Sequence, residues 1–201
     1  QLLFFTKGLD NITVQFAKGQ IRGIIGRNES GKTMLLKSIC GFVPLTSGTI
    51  IVNNQIIGKD VDIPPHLGII IEALDFFPII LDIAFKNAII YTKKITHQDI
   101  EHAMLQVGLD PRDKKWVGKY SLGMRQRLGI AQAIMEKPQI LLLDEPMNGL
   151  DMQGVQGFRN IFLQMCATGT TILLSSHNSD DINFFCDTVH LMQSGHLTKI
   201  R

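Results

Sequence analysis

Membrane-spanning segments are the first thing this sequence lacks: none of its apolar runs approaches the roughly 18 residues that a bilayer-crossing helix requires. Any attachment to a membrane is therefore expected to come through another polypeptide. No leader with a cleavage site opens the chain. It starts at Gln1 inside an apparent strand, without Met, so the native N-terminus and some loops are expected to be missing from it. Cysteine is scarce as well. Cys40, Cys166 and Cys186 are odd in number, far apart and without a Cys-x-x-Cys pair. That argues against a disulfide framework or a thiolate metal centre, and for buried free thiols in a reducing compartment. A dominant sign of charge is also absent. The chain carries 20 Lys and Arg against 18 Asp and Glu, a net charge of +2 with no run of five like charges, so no nucleic-acid partner is expected.

What is present reads as an ordinary globular chain, 45% hydrophobic and 19% charged over 201 residues, a length that suits one large domain or one domain with an inserted lobe. Residues 12–16 alternate loosely, Lys18-Gly19-Gln20 turns, and residues 21–25 read as a short buried strand running into a glycine-rich loop. A helix is expected from Gly31 to Gly41. Further strands are expected at residues 50–52, 67–71, 140–143, 171–174 and 189–192, mostly apolar runs of the kind a sheet covered on both faces requires. Strands alternating with helical patterns predict the α/β class. Over residues 72–135 the texture changes: Ile100, Met104, Leu105 and Val107 form one helical stripe, and Leu128, Ile130, Ala131 and Ile134 another. The expected organisation is a single domain over residues 1–201, with a core of about 1–71 and 136–201 and a mainly helical lobe inserted at about 72–135.

Gly26-Arg27-Asn28-Glu29-Ser30-Gly31-Lys32-Thr33 fits G-x-x-x-x-G-K-[ST] between an expected strand and an expected helix. Its glycines let the backbone curl so that successive N–H groups and the helix N-terminus point at phosphates. Lys32 is placed to reach the β- and γ-phosphates and Thr33 to ligate Mg²⁺. Gly26, Asn28, Ser30, Gly31, Lys32 and Thr33 are accordingly the candidate phosphate-binding residues. Ile140-Leu141-Leu142-Leu143-Asp144-Glu145-Pro146 is an apolar strand ending in two carboxylates, a pattern that sets an acid at the C-terminal edge of a sheet beside such a loop. Asp144 would hold Mg²⁺ through water, and Glu145 would orient and polarise an attacking water as general base.

Many nucleotide-binding families share those two elements. Tyr120-Ser121-Leu122-Gly123-Met124-Arg125-Gln126-Arg127 starts an amphipathic helix shortly upstream of the acidic strand, and here the sequence resembles the ATP-binding cassette family, whose signature Leu-Ser-Gly-Gly-Gln precedes the acidic strand at about this distance. The resemblance continues in Asn148-Gly149-Leu150-Asp151, similar to the family's D-loop, and in Ser175-Ser176-His177, similar to its switch histidine. It implies a P-loop NTPase core with a mixed, mainly parallel sheet, an N-terminal antiparallel β portion and an inserted α-helical lobe. It also implies a head-to-tail pair of ATP-binding domains, with each ATP between the phosphate loop of one copy and Ser121 and Gly123 of the other. Asp151 would contribute at that interface, and His177 would join Glu145 as a catalytic residue sensing the γ-phosphate. ATP and Mg²⁺ are the implied ligands, an integral membrane permease is the implied partner, and the cytoplasmic face of the cell membrane is the implied location.

The departures from the family pattern carry information. Leu122 and Met124 stand where the signature usually has Gly and Gln, while Ser121 and Gly123 remain. Arg27 and Glu29 stand where Pro and Gly are commoner; Glu29 adds negative charge near a polyphosphate. After Ile69-Ile70-Ile71 the family's Q-loop glutamine is replaced by Glu72, which keeps an oxygen for Mg²⁺, loses an amide donor and adds a charge. Glu72 together with this signature resembles the branch that exports, or confers immunity to, peptide antibiotics such as bacitracin and lantibiotics. Phe4 and Phe5 are both candidates for the aromatic that stacks on adenine in this family, with core packing the alternative for each. The expected function is thus a transporter ATPase. A soluble cassette ATPase acting on DNA or ribosomes is the alternative, disfavoured by the single nucleotide site, the lack of a basic patch and the lack of a long coiled coil. Intact Lys32, Asp144, Glu145 and His177 argue against a regulatory subunit without turnover.

Overall fold

The computed structural model describes residues 8–71, 95–113 and 115–201. Its apolar runs form strands because both faces of one sheet are covered. In chain order the strands and helices are β1 (Ile21–Ile25), α1 (Lys32–Ile39), β2 (Ile51–Val52), β3 (Gln55–Ile56), β4 (Leu67–Ile70), α2 (His97–Gln106), α3 (Leu122–Ile134), β5 (Ile140–Asp144), α4 (Met152–Ala167), β6 (Thr171–Ser176), α5 (Ser179–Phe185), β7 (Thr188–Gln193) and β8 (His196–Lys199). The main sheet runs β4-β5-β6-β1-β7-β8, parallel throughout except for β8. Alternation along β5 and β6 divides the core in two. Leu141, Leu143, Ile172 and Leu174 join Phe158 and Phe162 of α4 on one face, and Leu142 and Leu173 join Leu35 and Leu36 of α1 on the other. An unbroken Leu-Leu-Leu is what such a strand needs.

The mixed, mainly parallel sheet with its antiparallel portion agrees with the expected class. Residues 12–16 form no strand: Ile12 and Phe16 pack on the α1-side core while Thr13, Val14 and Gln15 are exposed, so the segment turns every fourth side chain inward and not every second. The antiparallel pairs among the described residues are β2 with β3 and β7 with β8. Their partners β3 and β8 are absent from the sequence-based expectation. Asn53-Asn54 and Ser194-Gly195 both take consecutive positive φ values (49° and 64°; 49° and 81°), the two-residue turn whose twist matches a hairpin. Those dipeptides were the available signal.

In the segment before β5, α2 opens on a reciprocal cap: Thr96 accepts from the Asp99 N–H at 3.2 Å and Asp99 accepts from the Thr96 N–H at 3.0 Å. The α2 stripe needs correction. Ile100, Ala103 and Val107 face inward at i, i+3 and i+7, whereas Leu105 is exposed. Helix α3 buries Leu128, Ile130, Ala131 and Ile134 as its stripe predicts, and packs on α2 and β4. All three thiols are free; burial pushes Cys40 and Cys186 up to about 12 and Cys166 to about 11, so they stay protonated and unreactive.

His190 on β7 is buried against the edge of the Phe16 ring, with centroids 5.5 Å apart, and its Nδ1 has no hydrogen-bond partner among the described residues. Burial first, then the charges of Arg22 and Lys199, hold its pKa below the ordinary 6.5. The unfolded chain therefore takes up this proton before the folded one does. Stability present above about pH 6.5 is lost as pH falls towards the depressed folded value. Urea unfolding between pH 8 and pH 5 is expected to show this loss, and His190→Gln to flatten that part of the profile.

Candidate functional site

The parallel order β5-β6-β1 brings three C-terminal strand ends together, where open α/β sheets form their ligand crevice. From β1 the chain turns through residues 26–31 into α1, whose first-turn N–H groups have no side-chain cap and so open onto the loop. Gly31 takes φ +114°, and a Cβ there would fall 2.6 Å from the Gly8 carbonyl oxygen, so the turn requires glycine. Lys32 is buried and curls back, donating to the carbonyl oxygens of Gly26 at 2.8 Å and Arg27 at 3.1 Å. Asn28 and Glu29 are exposed on the outer rim. The buried Ser30 hydroxyl has no partner among the described residues, leaving it to a ligand oxygen or water.

Across the crevice, β5 delivers both acids. Asp144 is buried; its Oδ2 accepts from the Thr33 hydroxyl at 2.5 Å and its Oδ1 from the Ser175 hydroxyl. Glu145 takes a left-handed φ of +50°, unusual for a residue with a side chain, at a cost of about 1 kcal/mol. Its carboxylate joins two groups: Oε1 lies 3.5 Å from the Lys32 ammonium, and Oε2 lies 2.9 Å from His177 Nδ1 and 3.3 Å from the His177 backbone N–H. Two contact sets, Thr33 with Asp144 and Lys32 with Glu145 and His177, thus lie side by side, joined by chain adjacency at residues 32–33 and 144–145. Thr33 and Asp144 offer two hard oxygens side by side, and among the described residues no three His, Cys, Asp or Glu gather into a cation cage. That donor set fits Mg²⁺, which takes one or two protein oxygens and completes its shell with phosphate and water.

The remaining expected residues form a second cluster. Ser121 caps α3, accepting from the Met124 N–H at 3.2 Å, and Asp151 caps α4, accepting from the Gly154 N–H at 2.8 Å. Between them the backbones approach closely: a Cβ on Gly123 would sit 2.9 Å from the Gly149 carbonyl oxygen. No hydrogen bond or ion pair joins Ser121 or Gly123 to the phosphate loop among the described residues. Two neighbours with no role assigned from sequence brace the second cluster, one of them reaching towards the first. Gln126 donates to the Pro146 carbonyl oxygen at 2.8 Å, just past Glu145. Arg127 donates to the Val107 carbonyl oxygen at 2.7 Å, lies 3.8 Å from Asp151 and stands over the Phe158 ring at 5.8 Å. Ser175, in the Ser-Ser-His motif, likewise has no role of its own assigned from sequence. Glu72, Phe4 and Phe5 lie outside the described residues. A cleft of about 2110 Å³ opens elsewhere, on the α1 face, and its lining includes neither Lys32 nor either carboxylate residue.

Comparison with known proteins places these features in a family. The ABC transporter family profile matches residues 9–148. The chain is 44% identical over 195 residues to the uncharacterized ABC transporter ATP-binding protein YybJ of Bacillus subtilis (strain 168), covering 96% of this chain and 88% of that one. It is 36% identical over 196 residues to the bacitracin transport ATP-binding protein BcrA of Bacillus licheniformis, covering 95% of this chain and 63% of that one, so it spans less than two thirds of BcrA. With the lantibiotic transport ATP-binding protein SrtF of Streptococcus pyogenes it shares 34% identity over 189 residues, 93% of this chain and 81% of the relative. The fold is similar to that of the dimeric ATP-binding cassette MJ0796 in a post-hydrolysis state with ADP and Pi (TM-score 0.79, 20% identity, 96% of this chain and 91% of that one).

Glu29 offers a direct test of the phosphate loop. At φ +63° it occupies a left-handed position that glycine adopts without strain, and its carboxylate adds a negative charge on the exposed rim of the loop. Glu29→Gly is expected to raise unfolding stability by up to about 1 kcal/mol and to tighten ATP binding several-fold at low salt, less at high salt. Denaturant unfolding and nucleotide titration at two ionic strengths measure both.

Proposed function

The chain belongs to the ABC transporter family of ATP-binding proteins, and from that membership we propose that it is the ATP-hydrolysing subunit of a transporter that exports, or confers immunity to, peptide antibiotics. The observation that carries the hydrolytic part is the Glu145 carboxylate joined to both Lys32 and His177. Lys32 and the open N-terminus of α1 bind and orient the phosphates. Glu145 accepts a proton from the attacking water through Oε1 or Oε2, and His177, held on the same carboxylate, orients it. Thr33 and Asp144 would hold Mg²⁺, with Glu72 as a third oxygen; the cation would neutralise charge on the transferring phosphoryl group. Ser121 and Gly123, exposed or half-exposed and unconnected to the loop of their own chain, suit the γ-phosphate of a nucleotide on a second copy packed head to tail, with Asp151 beside them.

Similarity to BcrA and SrtF, together with Glu72 and the Tyr-Ser-Leu-Gly-Met-Arg-Gln-Arg signature, supports the peptide-antibiotic branch. Among the described residues no helix is long and apolar enough to cross a membrane; on the transporter reading a permease partner would hold the chain at the cytoplasmic face. Co-purification of an integral membrane protein from detergent-solubilised membranes tests this; a chain recovered alone, or with ribosomes or DNA, would favour the soluble-ATPase alternative.

Glu145→Gln is expected to lower turnover by at least about 100-fold while retaining ATP and favouring a dimer, measured by phosphate release and size-exclusion chromatography; equal hydrolysis by variant and parent would remove Glu145 from its role. Glu72→Gln is expected to preserve ATP binding and to change transport coupling or Mg²⁺ dependence, read in membranes containing the permease. Unchanged transport and metal response would make Glu72 a neutral variant.

A further inference from the structure

Ser175 is fully buried near the end of β6, the strand that runs between β1 and β5. Parallel pairing sets it level with Ile24 on one side and Asp144 on the other. Its two polar groups hold the two acidic residues separately: the hydroxyl donates to Asp144 Oδ1, and the backbone carbonyl accepts the Glu145 N–H at 3.1 Å. Packing alone does not ask for this hydroxyl. The three preceding positions of the strand are apolar, and a buried hydroxyl without a partner costs about 1–3 kcal/mol. Its neighbour Ser176 has a different task, accepting the Asn178 N–H at 3.0 Å in the turn towards α5.

We propose that Ser175 is a positioning residue for the divalent-cation site: by occupying Asp144 Oδ1 it fixes the carboxylate so that Oδ2, beside Thr33, is the oxygen presented to the cation. The inference rests on the reading of this chain as a Mg²⁺-dependent ATPase. Without the Ser175 hydroxyl, Oδ1 is left buried and unsatisfied, and the carboxylate is held about its Cβ–Cγ bond by Thr33 alone, through the oxygen the cation needs. Metal ligands held by such an outer hydrogen bond typically lose about 10–100-fold in metal affinity when it is removed. Thr33 cannot replace it, because its own hydroxyl is already engaged at Oδ2.

The test uses the full chain with Mn²⁺ as a spectroscopic probe and a non-hydrolysable ATP analogue, comparing the parent with Ser175→Ala and Ser175→Thr, each checked by thermal unfolding. Ser175→Ala is expected to weaken Mn²⁺ binding in the nucleotide complex by about 10-fold or more while leaving nucleotide affinity in EDTA unchanged. Ser175→Thr, which keeps a hydroxyl, is expected to restore Mn²⁺ binding. Should Ser175→Ala not fold, Ser175→Cys takes its place, since it keeps the volume and donates only weakly. Parent-like Mn²⁺ binding in the hydroxyl-free variant, or a loss in Ser175→Thr equal to that in Ser175→Ala, would overturn the proposal. A parent chain that binds neither cation nor nucleotide would instead overturn the ATPase reading, and the proposal with it, before any variant is made.

Discussion

The arrangement of this protein depends on β6 lying between β1 and β5 in parallel register. Parallel strands need both faces covered, because their crossover helices pack there. The helices supply that cover, with α1 on one side and α4 and α5 on the other, so the site is built at the rim of a rigid, fully buried layer. Lys32, Asp144 and His177 are far apart in sequence, yet they emerge from or beside the same ends of three adjacent strands. Loops alone would not hold the Thr33–Asp144 pair and the Lys32–Glu145–His177 set side by side at one sheet edge.

Within the rim, charge decides the geometry. The Lys32 ammonium is met by two carbonyl oxygens and by Glu145, and the same carboxylate reaches His177. A polyphosphate approaching Lys32 competes with Glu145 for the same cation, and the two anions repel. The strained φ of Glu145 belongs to this balance: the backbone turns left-handed directly after Asp144, so adjacent acids face different partners, Asp144 towards Thr33 and Ser175, Glu145 towards Lys32 and His177. Ser175 holds both sides of that division. The second cluster, at the starts of α3 and α4, connects through Gln126 to the backbone after Glu145 and through Arg127 to Asp151, Val107 and Phe158. Gln126 is thus the direct hydrogen-bonded link from α3 to the backbone just past the carboxylates.

How far this was legible from sequence varies with the range of the interaction. The phosphate loop and the Asp144-Glu145 pair are local: spacing along the chain places their backbone groups, so Lys32, Thr33 and both acids could be named as candidates before any fold. Strand existence in the sheet interior was equally plain, since burial on both faces demands unbroken apolar runs such as Leu141-Leu142-Leu143. Short edge elements were not. Residues 12–16 alternate in sequence but not in burial, Val14 being exposed, and β8 is read more easily from the Ser194-Gly195 turn than from its exposed His196, Thr198 and Lys199. Leu105 was assigned to the buried stripe of α2 and is exposed, because the helix turns its Ile100, Ala103 and Val107 face inward instead.

Sequence by itself determined the chemical inventory, a phosphate-binding loop, two acids, a histidine and a helix-capping serine in a recognisable order, because each motif is closed within a few residues by backbone geometry. Only the tertiary structure decided which of these meet. It joined Glu145 to Lys32 and His177, kept Ser121 and Gly123 out of hydrogen bonding with their own phosphate loop, and brought Ser175 level with Asp144. The physical reason is register. A strand pairing between residues 31 positions apart follows from how helices and strands pack together, and no spacing along the chain records it.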